Sequence, residues 1–531
     1  MQFSSPIFLL AVLPVVFAGF VLVSRHGSHA MTKGWLAACS LALFAWWRPE
    51  AVPVLLASLI GNFALARRLG QNRSRRLLIA AVVLNCFYLG YFKYALFVVD
   101  NANAVFGAGW PAPHLLLPLG ISFYTFQQIA YLVDVQAGRV QPHGLLDQTL
   151  FMGFFPYVVS GPITHAGEMV PQFNDPSRLR PQLQTVCLGL TIFLIGMAKK
   201  VLVADPFAPT VARVFADAEH GGVGFVQAWA GALSFALEMY FDFSGYSDMA
   251  IGLALLFGIA LPLNFNSPFK ARNVIDYWSR WHMTLTRFLT AYIYNPVVLS
   301  LSRRRMARGL PLPRRGRMTP GAFATLVAGP TMLTMMVSGI WHGAGWQFVI
   351  FGLLHGVFLV IAHGWHAVKA RLGLSFGGTY LGGHVAVAAS VLLTFLCAVV
   401  ALVFFRAGSV AAAMDIVSGM AGLNGLTLPP ALAPLAAMLG GDVAPMDGLG
   451  GGQFARIALF LAVVWALPNT FEWLRHFPTA LDFRARGQDG AIALPAWRPS
   501  PWIGAALGSL TLFVVLTSFS AAPAEFLYAK F

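Results

Sequence analysis

Long apolar runs, separated by short polar or basic connections, recur along nearly the whole of this 531-residue chain. The pattern predicts an all-α, polytopic membrane protein, because a backbone that crosses lipid must satisfy its own hydrogen bonds. Several runs are shorter than the ~20 residues that a crossing needs, so some are expected to tilt or re-enter. We predict eleven to thirteen transmembrane or re-entrant helices. The candidate segments are residues 6–23, 35–47, 51–66, 77–99, 115–133, 185–204, 226–257, 284–300, 322–341, 346–366, 383–405, 455–473 and 502–520.

No change of composition separates a soluble domain from these runs, so the sequence predicts one membrane domain over residues 1–531. We expect its core at about 115–405, with peripheral helices at 1–114 and 406–531. The first apolar run lacks a basic leader and an evident cleavage site, and is interpreted as a membrane helix rather than a removable signal.

Two segments interrupt the helical pattern. Residues 151–176 are largely apolar but contain the helix-breaking residues Pro156, Gly161, Pro162 and Pro171. A backbone broken at membrane depth must pack against protein or line a cavity. Residues 261–282 are predicted to form an amphipathic segment at the membrane interface.

Composition supports the membrane assignment and restricts the function. Hydrophobic residues make up 58% of the chain and charged residues only 10%, whereas soluble proteins have roughly 25%. The net charge of +15 comes largely from basic clusters between apolar runs, which the positive-inside rule keeps in the cytoplasm. The clusters are Arg67, Arg68, Arg73, Arg75 and Arg76, then Arg303, Arg304, Arg305, Arg308, Arg314, Arg315 and Arg317. No nucleic-acid-binding module accompanies them, so we predict no nucleic-acid partner.

His342 is the most unusual polar residue in an apolar run. Burying an ionisable ring at membrane depth costs several kcal/mol unless it is compensated, so the residue is a candidate functional group. The alternative is a packing helix, because Gly339 and Gly343 have the spacing that lets two helices approach closely. His355 follows 13 residues later, ~20 Å away along a straight helix. We predict a structural role for it, apart from His342 unless the helix breaks.

A second histidine, His282, begins another apolar run between Arg280 and Arg287. A basic membrane-interface anchor with snorkelling side chains explains the arginines better than it explains the histidine. Imidazole has an unperturbed pKa of about 6.5 and can accept a proton from a hydroxyl at physiological pH. We therefore predict His342 and His282 as the catalytic pair of a membrane enzyme.

Three carboxylates, Glu238, Asp242 and Asp248, lie in a further apolar run and need partners there. They could pair structurally with Lys199 or Arg280, or they could line a polar tunnel; the structural pairing is the preferred interpretation.

Several common catalytic motifs are absent from the sequence. It has no Walker loop, dinucleotide fingerprint, Gly-x-Ser-x-Gly elbow or zinc-ligand spacing. The four cysteines, which lie far apart, show no metal or redox spacing. Phosphoryl transfer, hydride transfer and serine hydrolysis lose support, and we predict neither a metal nor a permanently bound cofactor.

The sequence resembles the membrane-bound O-acyltransferase (MBOAT) family, and within it the bacterial alginate O-acetyltransferase branch. The resemblance runs nearly end to end and in order. The matching stretches are Phe44 to Trp47, Leu89 to Tyr94, Leu117 to Phe126, Tyr240 to Gly252, Asn264 to Asn266, Trp281-His282, Trp341 to Ala344 and Phe526 to Phe531.

The resemblance implies a helical membrane fold around a central tunnel, with His342 as the catalytic residue and His282 on the cytoplasmic side. It implies a multi-pass protein of the bacterial inner membrane that transfers acetyl groups from a cytoplasmic thioester, acetyl-CoA. The acceptor would be a hydroxyl of an exported polysaccharide, reached directly or through periplasmic acetyltransferase partners. Further candidate substrate or tunnel residues are Trp341, Trp281, Asp242, Asp248, Tyr157 and Asn266.

Two departures from the branch weaken alginate as the substrate. Tyr157 stands where alginate-type members usually have a histidine, and Tyr294 to Val298 replaces a Tyr-Ile-Pro-Leu-Gly-Gly stretch. D-alanyl or other acyl transfer from a carrier protein to a cell-envelope polymer is an alternative. Two others are a transporter or polysaccharide export subunit with a histidine proton relay, and a scaffold for a synthase complex.

Overall fold

The computed structural model describes residues 3–113, 115–313, 318–373, 380–428, 434, 437–438, 442–443, 450–481, 497–520 and 526–527. Arg314, Arg315 and Arg317 of the predicted basic loop, and residues 528–531 of the C-terminal match, lie outside this set. Within the described residues the regular elements are helices, apart from one pair of two-residue parallel strands, β1 (Thr427–Leu428) and β2 (Asp442–Val443), and one isolated bridge between Pro262 and Leu481.

The helices are numbered in chain order. They are α1 (Leu13–His26), α2 (His29–Trp47), α3 (Val52–Asn72), α4 (Arg75–Phe106), α5 (Ile121–Gln136), α6 (Leu145–Gly153), α7 (Ala166–Phe173), α8 (Leu183–Ala198), α9 (Ala208–Asp217), α10 (Phe225–Leu256), α11 (Val274–Trp278), α12 (Met283–Leu289), α13 (Asn295–Ala307), α14 (Pro320–Phe323), α15 (Gly329–His342), α16 (Trp346–Leu372), α17 (Tyr380–Arg406), α18 (Val410–Met420), α19 (Gly451–Ala466), α20 (Thr470–Trp473) and α21 (Pro501–Ser520). Single turns of π-helix extend α1, α8, α12 and α15 at Phe8–Val12, Lys199–Ala204, Thr290–Tyr294 and Ala324–Ala328. Short 3₁₀ turns occupy Pro49–Ala51, Asp205–Phe207 and Pro268–Lys270.

The prediction of an all-α, polytopic membrane protein is confirmed. Among the described residues, eight helical segments are long and apolar enough to cross a membrane. They are Phe8–His26, Pro49–Asn72, Arg75–Phe106, Leu183–Asp217, Pro320–His342, Trp346–Leu372, Gly383–Arg406 and Pro501–Phe519. The other predicted runs form shorter or more polar helices: α5 has 16 residues, and α10 contains three carboxylates. Both are almost completely buried inside the bundle.

The centre of the molecule is the contact between α8 and α10, which is the most extensive helix pairing in the fold. It depends on glycine, because a Cβ added to Gly252 would lie 2.5 Å from the carbonyl oxygen of Gly189. One added to Gly245 would lie 2.7 Å from the carbonyl oxygen of Gly196. Small residues let the two backbones approach to this distance, as they do in many membrane helix pairs.

The helices α15 and α16 form a tight hairpin through the short connection 343–345. Gly343 and Gly345 are extended there, and a Cβ on Gly343 would lie 2.2 Å from the ring of Phe348. The helix that contains His342 therefore ends at that residue, and the chain turns back beside it. This break decides where His342 and His355 lie.

The two predicted interruptions are buried over most of their length. Residues 151–164 are buried throughout, as expected for a broken backbone at membrane depth. The interpretation of residues 261–282 as an amphipathic interfacial segment is wrong in one respect, since Leu261, Asn264 and Phe269 are at most 2% exposed. Asn264, Asn273 and Arg280 of this segment bond to protein groups, whereas Arg272 is exposed.

Candidate active site

The two predicted catalytic histidines lie side by side in the interior. The ring centroids of His282 and His342 are 6.4 Å apart, and the residues are 0% and 3% exposed. They come from different elements: His342 is the last residue of α15, and His282 directly precedes α12. Two neighbouring imidazoles in a buried site can bind and transfer protons. A single histidine that only packs between helices does not require such a neighbour.

His342 is enclosed by aromatic rings, with its centroid 4.9 Å from that of Trp341, 5.6 Å from Phe351 and 5.2 Å from Phe405. Its backbone is fixed by a cation from another helix. Lys93 on α4 donates from Nζ to the carbonyl oxygens of Trp341, at 2.6 Å, and His342, at 3.1 Å. The last carbonyls of a helix have no intrahelical donor and carry partial negative charge, so a cation stabilises them.

His282 adopts a left-handed backbone conformation, with φ 42° and ψ 51°. Residues other than glycine adopt it at a cost of about 1–3 kcal/mol, and such strain clusters at functional sites. The ring is held by Asn264, whose Oδ1 lies 3.0 Å from Nδ1 of His282 and also accepts from the Thr284 hydroxyl at 2.9 Å. Because an amide oxygen only accepts, Nδ1 carries the proton, and the neutral ring keeps its lone pair on Nε2.

Trp341 connects the pair to a stack of aromatic side chains. Its ring lies 6.0 Å from His282 and stacks on Phe126 at 5.2 Å. Its Nε1 is buried and has no hydrogen-bond acceptor among the described residues. The Ser338 hydroxyl, one helical turn before His342, is likewise buried without a partner there. Buried donors are normally satisfied, so these two groups are candidates for bonding to a substrate.

Two of the three predicted carboxylates, Asp248 and Asp242, are paired with lysines, whereas Oε2 of Glu238 is buried without a hydrogen-bond partner among the described residues. Asp248 accepts from Lys199 at 2.6 Å and from the Thr470 hydroxyl at 2.8 Å. Asp242 pairs with Lys200 at 2.5 Å. The predicted pairing with Lys199 is therefore present for Asp248, whereas Arg280 bonds Asp276 at 2.9 Å. Both aspartates lie on α10 (Phe225–Leu256), whose Phe243 contacts the His282 ring at 4.8 Å.

The other predicted tunnel residues contact groups other than the two histidines. Trp281 stacks on Tyr277 at 5.7 Å. Asn266 accepts from Nδ2 of Asn469 at 2.9 Å. The Tyr157 hydroxyl donates to the carbonyl oxygen of Phe151 at 2.6 Å, in a buried turn. These contacts describe packing and leave any role in substrate binding as a prediction.

His355 is buried on α16 and packs against aromatic side chains, and its structural role stays a prediction. Its Nδ1 accepts from Nε1 of Trp278 at 3.3 Å, and its ring lies 4.8 Å from that of Phe351. Phe351 therefore touches both His355 and His342.

Two residues of the site were missed by sequence reasoning. Lys93 and Asn264 both lie in stretches that resemble the family, but neither was singled out as functional. Lys93 could have been identified by the argument used for His342, because it is an ionisable residue in an apolar run. Among the described residues, no group of three or more histidine, cysteine, aspartate or glutamate side chains is arranged to hold a metal ion.

The fold and the histidine pair define a polytopic membrane protein with imidazole groups buried in its core. Residues 136–310 match the membrane-bound O-acyltransferase family, MBOAT. The chain is 37% identical to the peptidoglycan O-acetyltransferase of Helicobacter pylori, over 80% of this chain and 81% of that protein. It is 36% identical to the probable alginate O-acetylase AlgI of Azotobacter vinelandii, over 68% of each. A more distant relative is the teichoic acid D-alanyltransferase of Streptococcus thermophilus, 28% identical over 49% of this chain and 60% of the relative.

This chain belongs to the membrane-bound O-acyltransferase family and, within it, is similar to the O-acetyltransferases that act on cell-envelope polymers. It is an acyltransferase, as the sequence predicted.

Proposed function

We propose that this protein transfers an acetyl group from cytoplasmic acetyl-CoA to hydroxyl groups of an exported cell-envelope polysaccharide. The observation that carries the proposal is the buried contact between His282 and His342, at 6.4 Å. The relatives named for acetylation of peptidoglycan and of alginate support the acetyl group and the polymeric acceptor. The inner membrane is the compartment in which a cytoplasmic donor and an exported polymer can meet.

His342 is the general base in this proposal. It accepts the proton of the attacking hydroxyl while the hydroxyl oxygen forms a bond to the thioester carbonyl carbon. The carbon–sulfur bond then breaks, the acetyl ester forms, and the thiolate leaves as coenzyme A after taking up the proton. His282, with its proton on Nδ1 and its lone pair on Nε2, positions the donor or the developing charge.

The buried donors beside His342 suit the oxyanion of this step. The Trp341 indole N–H and the Ser338 hydroxyl have no acceptor among the described residues. Hydrogen-bond donors that are preorganised in a dry site stabilise developing charge strongly. A tunnel through the bundle, which the family resemblance implies, would bring thioester and hydroxyl to this point from opposite faces.

The acceptor is a polysaccharide hydroxyl, reached directly or through periplasmic acetyltransferase partners. Alginate is the less favoured polymer because Tyr157 replaces the histidine that alginate-type members usually have. The relative from Helicobacter pylori, whose name specifies peptidoglycan, has the higher identity at 37%, against 36% for the alginate relative from Azotobacter vinelandii.

Inside-out membrane vesicles supplied with acetyl-labelled acetyl-CoA test the proposal. We expect label to enter acceptor polymer or a partner protein, and His342→Gln to reduce transfer about 10²–10⁴-fold, the usual contribution of a general base. His282→Gln should also reduce it. The matched control is His363→Gln, which removes a histidine from α16 outside the pair.

Three outcomes would contradict the proposal. Normal acetyl transfer by a folded His342→Gln protein would show that His342 is not the general base. Polymer export without any acyl donor would favour the transporter alternative. Label entering only from a D-alanyl carrier protein would favour the D-alanyl alternative, to which the Streptococcus thermophilus relative corresponds. Elution of each variant as a single species in detergent establishes that it is folded.

A further inference from the structure

A groove of about 1070 Å³ lies between α16 and α17, apart from the histidine pair. One part of its lining is apolar and includes Phe358, Ile361 and Leu393. Ile361 and Leu393 are 63% and 64% exposed, so this part opens outward from the helix bundle. Both helices belong to segments that can cross a membrane. The apolar part of the groove therefore faces the hydrocarbon of the bilayer.

The other part of the groove is basic. Arg272, His366 and Lys369 line it, and none of the described lining residues is acidic. His366 and Lys369 follow Ile361 on the same helix by about 7–12 Å, so the apolar wall continues directly into the basic part. The neighbouring carboxylate, Asp276, bonds Arg280 and the backbone N–H of Arg272.

The basic part lies on the same side of the membrane as the arginine-rich end of α13. Because α15 and α16 form an antiparallel hairpin, the end of α16 is level with the start of α14. Gly364 confirms this level, since a Cβ there would lie 3.6 Å from the ring of Phe323. Arg303, Arg304 and Arg305 at the end of α13, with Arg308 just after it, precede that start by 12–17 residues, so the positive-inside rule makes this face cytoplasmic. Trp365, which is 51% exposed, also lines the groove, and tryptophan is enriched in the headgroup region of membranes.

We propose that this groove binds one anionic phospholipid of the cytoplasmic leaflet. The phosphate lies against Arg272, His366 and Lys369, and an acyl chain lies along Phe358, Ile361 and Leu393. Charge complementarity identifies the occupant: basic pockets between membrane helices on the cytoplasmic side recognise anionic headgroups, and the apolar wall excludes a small free anion as the ligand that fills the groove. The proposal is independent of the acyl-transfer function.

The test measures lipid retained by the full-length protein in detergent. Native mass spectrometry is performed after equilibration with palmitoyl-oleoyl phosphatidylglycerol or with palmitoyl-oleoyl phosphatidylcholine. We expect one phosphatidylglycerol to be retained at least several-fold more than phosphatidylcholine. The double variant R272Q/K369Q should retain about tenfold less phosphatidylglycerol, because two basic contacts to the headgroup are removed.

The matched control is R303Q/R304Q, which removes the same charge from exposed positions on α13, outside the groove. A second variant, Ala362→Phe, fills the groove without changing charge and should also reduce retention. Equal retention of the two lipids, or equal loss in the control and the groove variant, would overturn the proposal. So would displacement of phosphatidylglycerol by coenzyme A or inorganic phosphate, since either would identify a soluble anion as the ligand.

Discussion

At the scale of single residues, the position of His342 depends on a cation from a distant part of the chain. Lys93 reaches the last carbonyls of α15 across a sequence separation of 248 residues. A hydrogen bond of this kind contributes about 0.5–1.5 kcal/mol, and roughly twice as much when its donor is charged. Without it the final turn of α15, which ends at His342, has less to hold it in place.

Lys93→Met should therefore lower kcat by about 10–100-fold and change KM little, because the imidazole moves while the rest of the site is intact. Acetyl transfer by purified protein measures both constants. Lys93→Arg should retain more activity, since it keeps a cation at the carbonyls. The control is Tyr94→Phe, which removes a neutral donor to the Ile340 carbonyl oxygen, 2.5 Å away. A fully active Lys93→Met protein would show that α15 holds His342 unaided.

The histidine pair and its Lys93 contact differ in how far the sequence could predict them. His282 and His342 each stood out in the sequence as ionisable residues at membrane depth, and the family resemblance assigned both to one site, but only the structure gives their distance of 6.4 Å. Lys93 carried the same kind of signal. Its partners, however, are backbone carbonyls that any residue could supply, so no sequence pattern identifies them.

At the scale of elements, the close contact between α15 and α16 sets the geometry of the site. A Cβ added to Gly339 would lie 2.3 Å from the Phe348 carbonyl oxygen, and one added to Gly352 would lie 2.3 Å from that of Met335. Backbone atoms cannot move aside as a flexible side chain can. The two helices would have to separate, and both contain residues around His342.

Gly339→Ala should reduce stability by about 1–3 kcal/mol, the usual cost of overpacking, and reduce acetyl transfer with it. The midpoint of heat-induced loss of the monodisperse detergent peak measures the effect. Gly364→Ala is the matched control on α16, because its Cβ would meet only ordinary contacts, the nearest at 3.6 Å. It should be neutral or slightly stabilising. Equal behaviour of the two variants would show that the hairpin can separate at no cost.

Helix limits near the hairpin were predictable, whereas the course of the polar segments was not. The predicted runs 322–341 and 346–366 correspond to segments Pro320–His342 and Trp346–Leu372. The break between the two runs was predictable because Gly343 and Gly345 lie between them. Residues 261–282 were expected at the interface because their polar and apolar residues mix. Their polar groups are instead satisfied inside, as Asn264 is by His282 and Thr284, and composition does not distinguish these two solutions.

At the scale of the whole molecule, both ends of the described chain reach the central helix α10. Phe3 and Phe526 stack on Tyr246, with centroid distances of 5.4 Å and 4.4 Å. The backbone N–H of Leu527 donates to Asp242 at 3.1 Å. The division into a core and peripheral segments therefore remains a prediction, because residues from both predicted peripheral parts contact α10.

A polar cluster outside the membrane-crossing segments gives the molecule a pH-dependent element. His165, which precedes α7, accepts at Nδ1 from Arg287 at 2.9 Å and stacks on Tyr292 at 5.7 Å. Glu168 lies 3.8 Å away but bonds Arg287 at 2.5 Å. Burial, and then the Arg287 charge, lower the pKa of His165 from 6.5 to about 4. An arginine that donates to Nδ1 requires the neutral ring.

The folded protein should consequently lose stability as the pH falls. Between pH 6.5 and about 4 the unfolded chain binds a proton at His165 that the folded protein does not, so protons favour unfolding in that window. The loss should be about 1–3 kcal/mol at pH 4 relative to pH 7. Thermal midpoints in detergent between pH 7 and pH 4 measure it. His165→Gln should flatten this part of the profile, whereas His26→Gln, at an exposed position on α1, should leave it unchanged. If the His165→Gln profile keeps the slope of the wild type, the pH response arises elsewhere, because glutamine can bond Arg287 but cannot titrate.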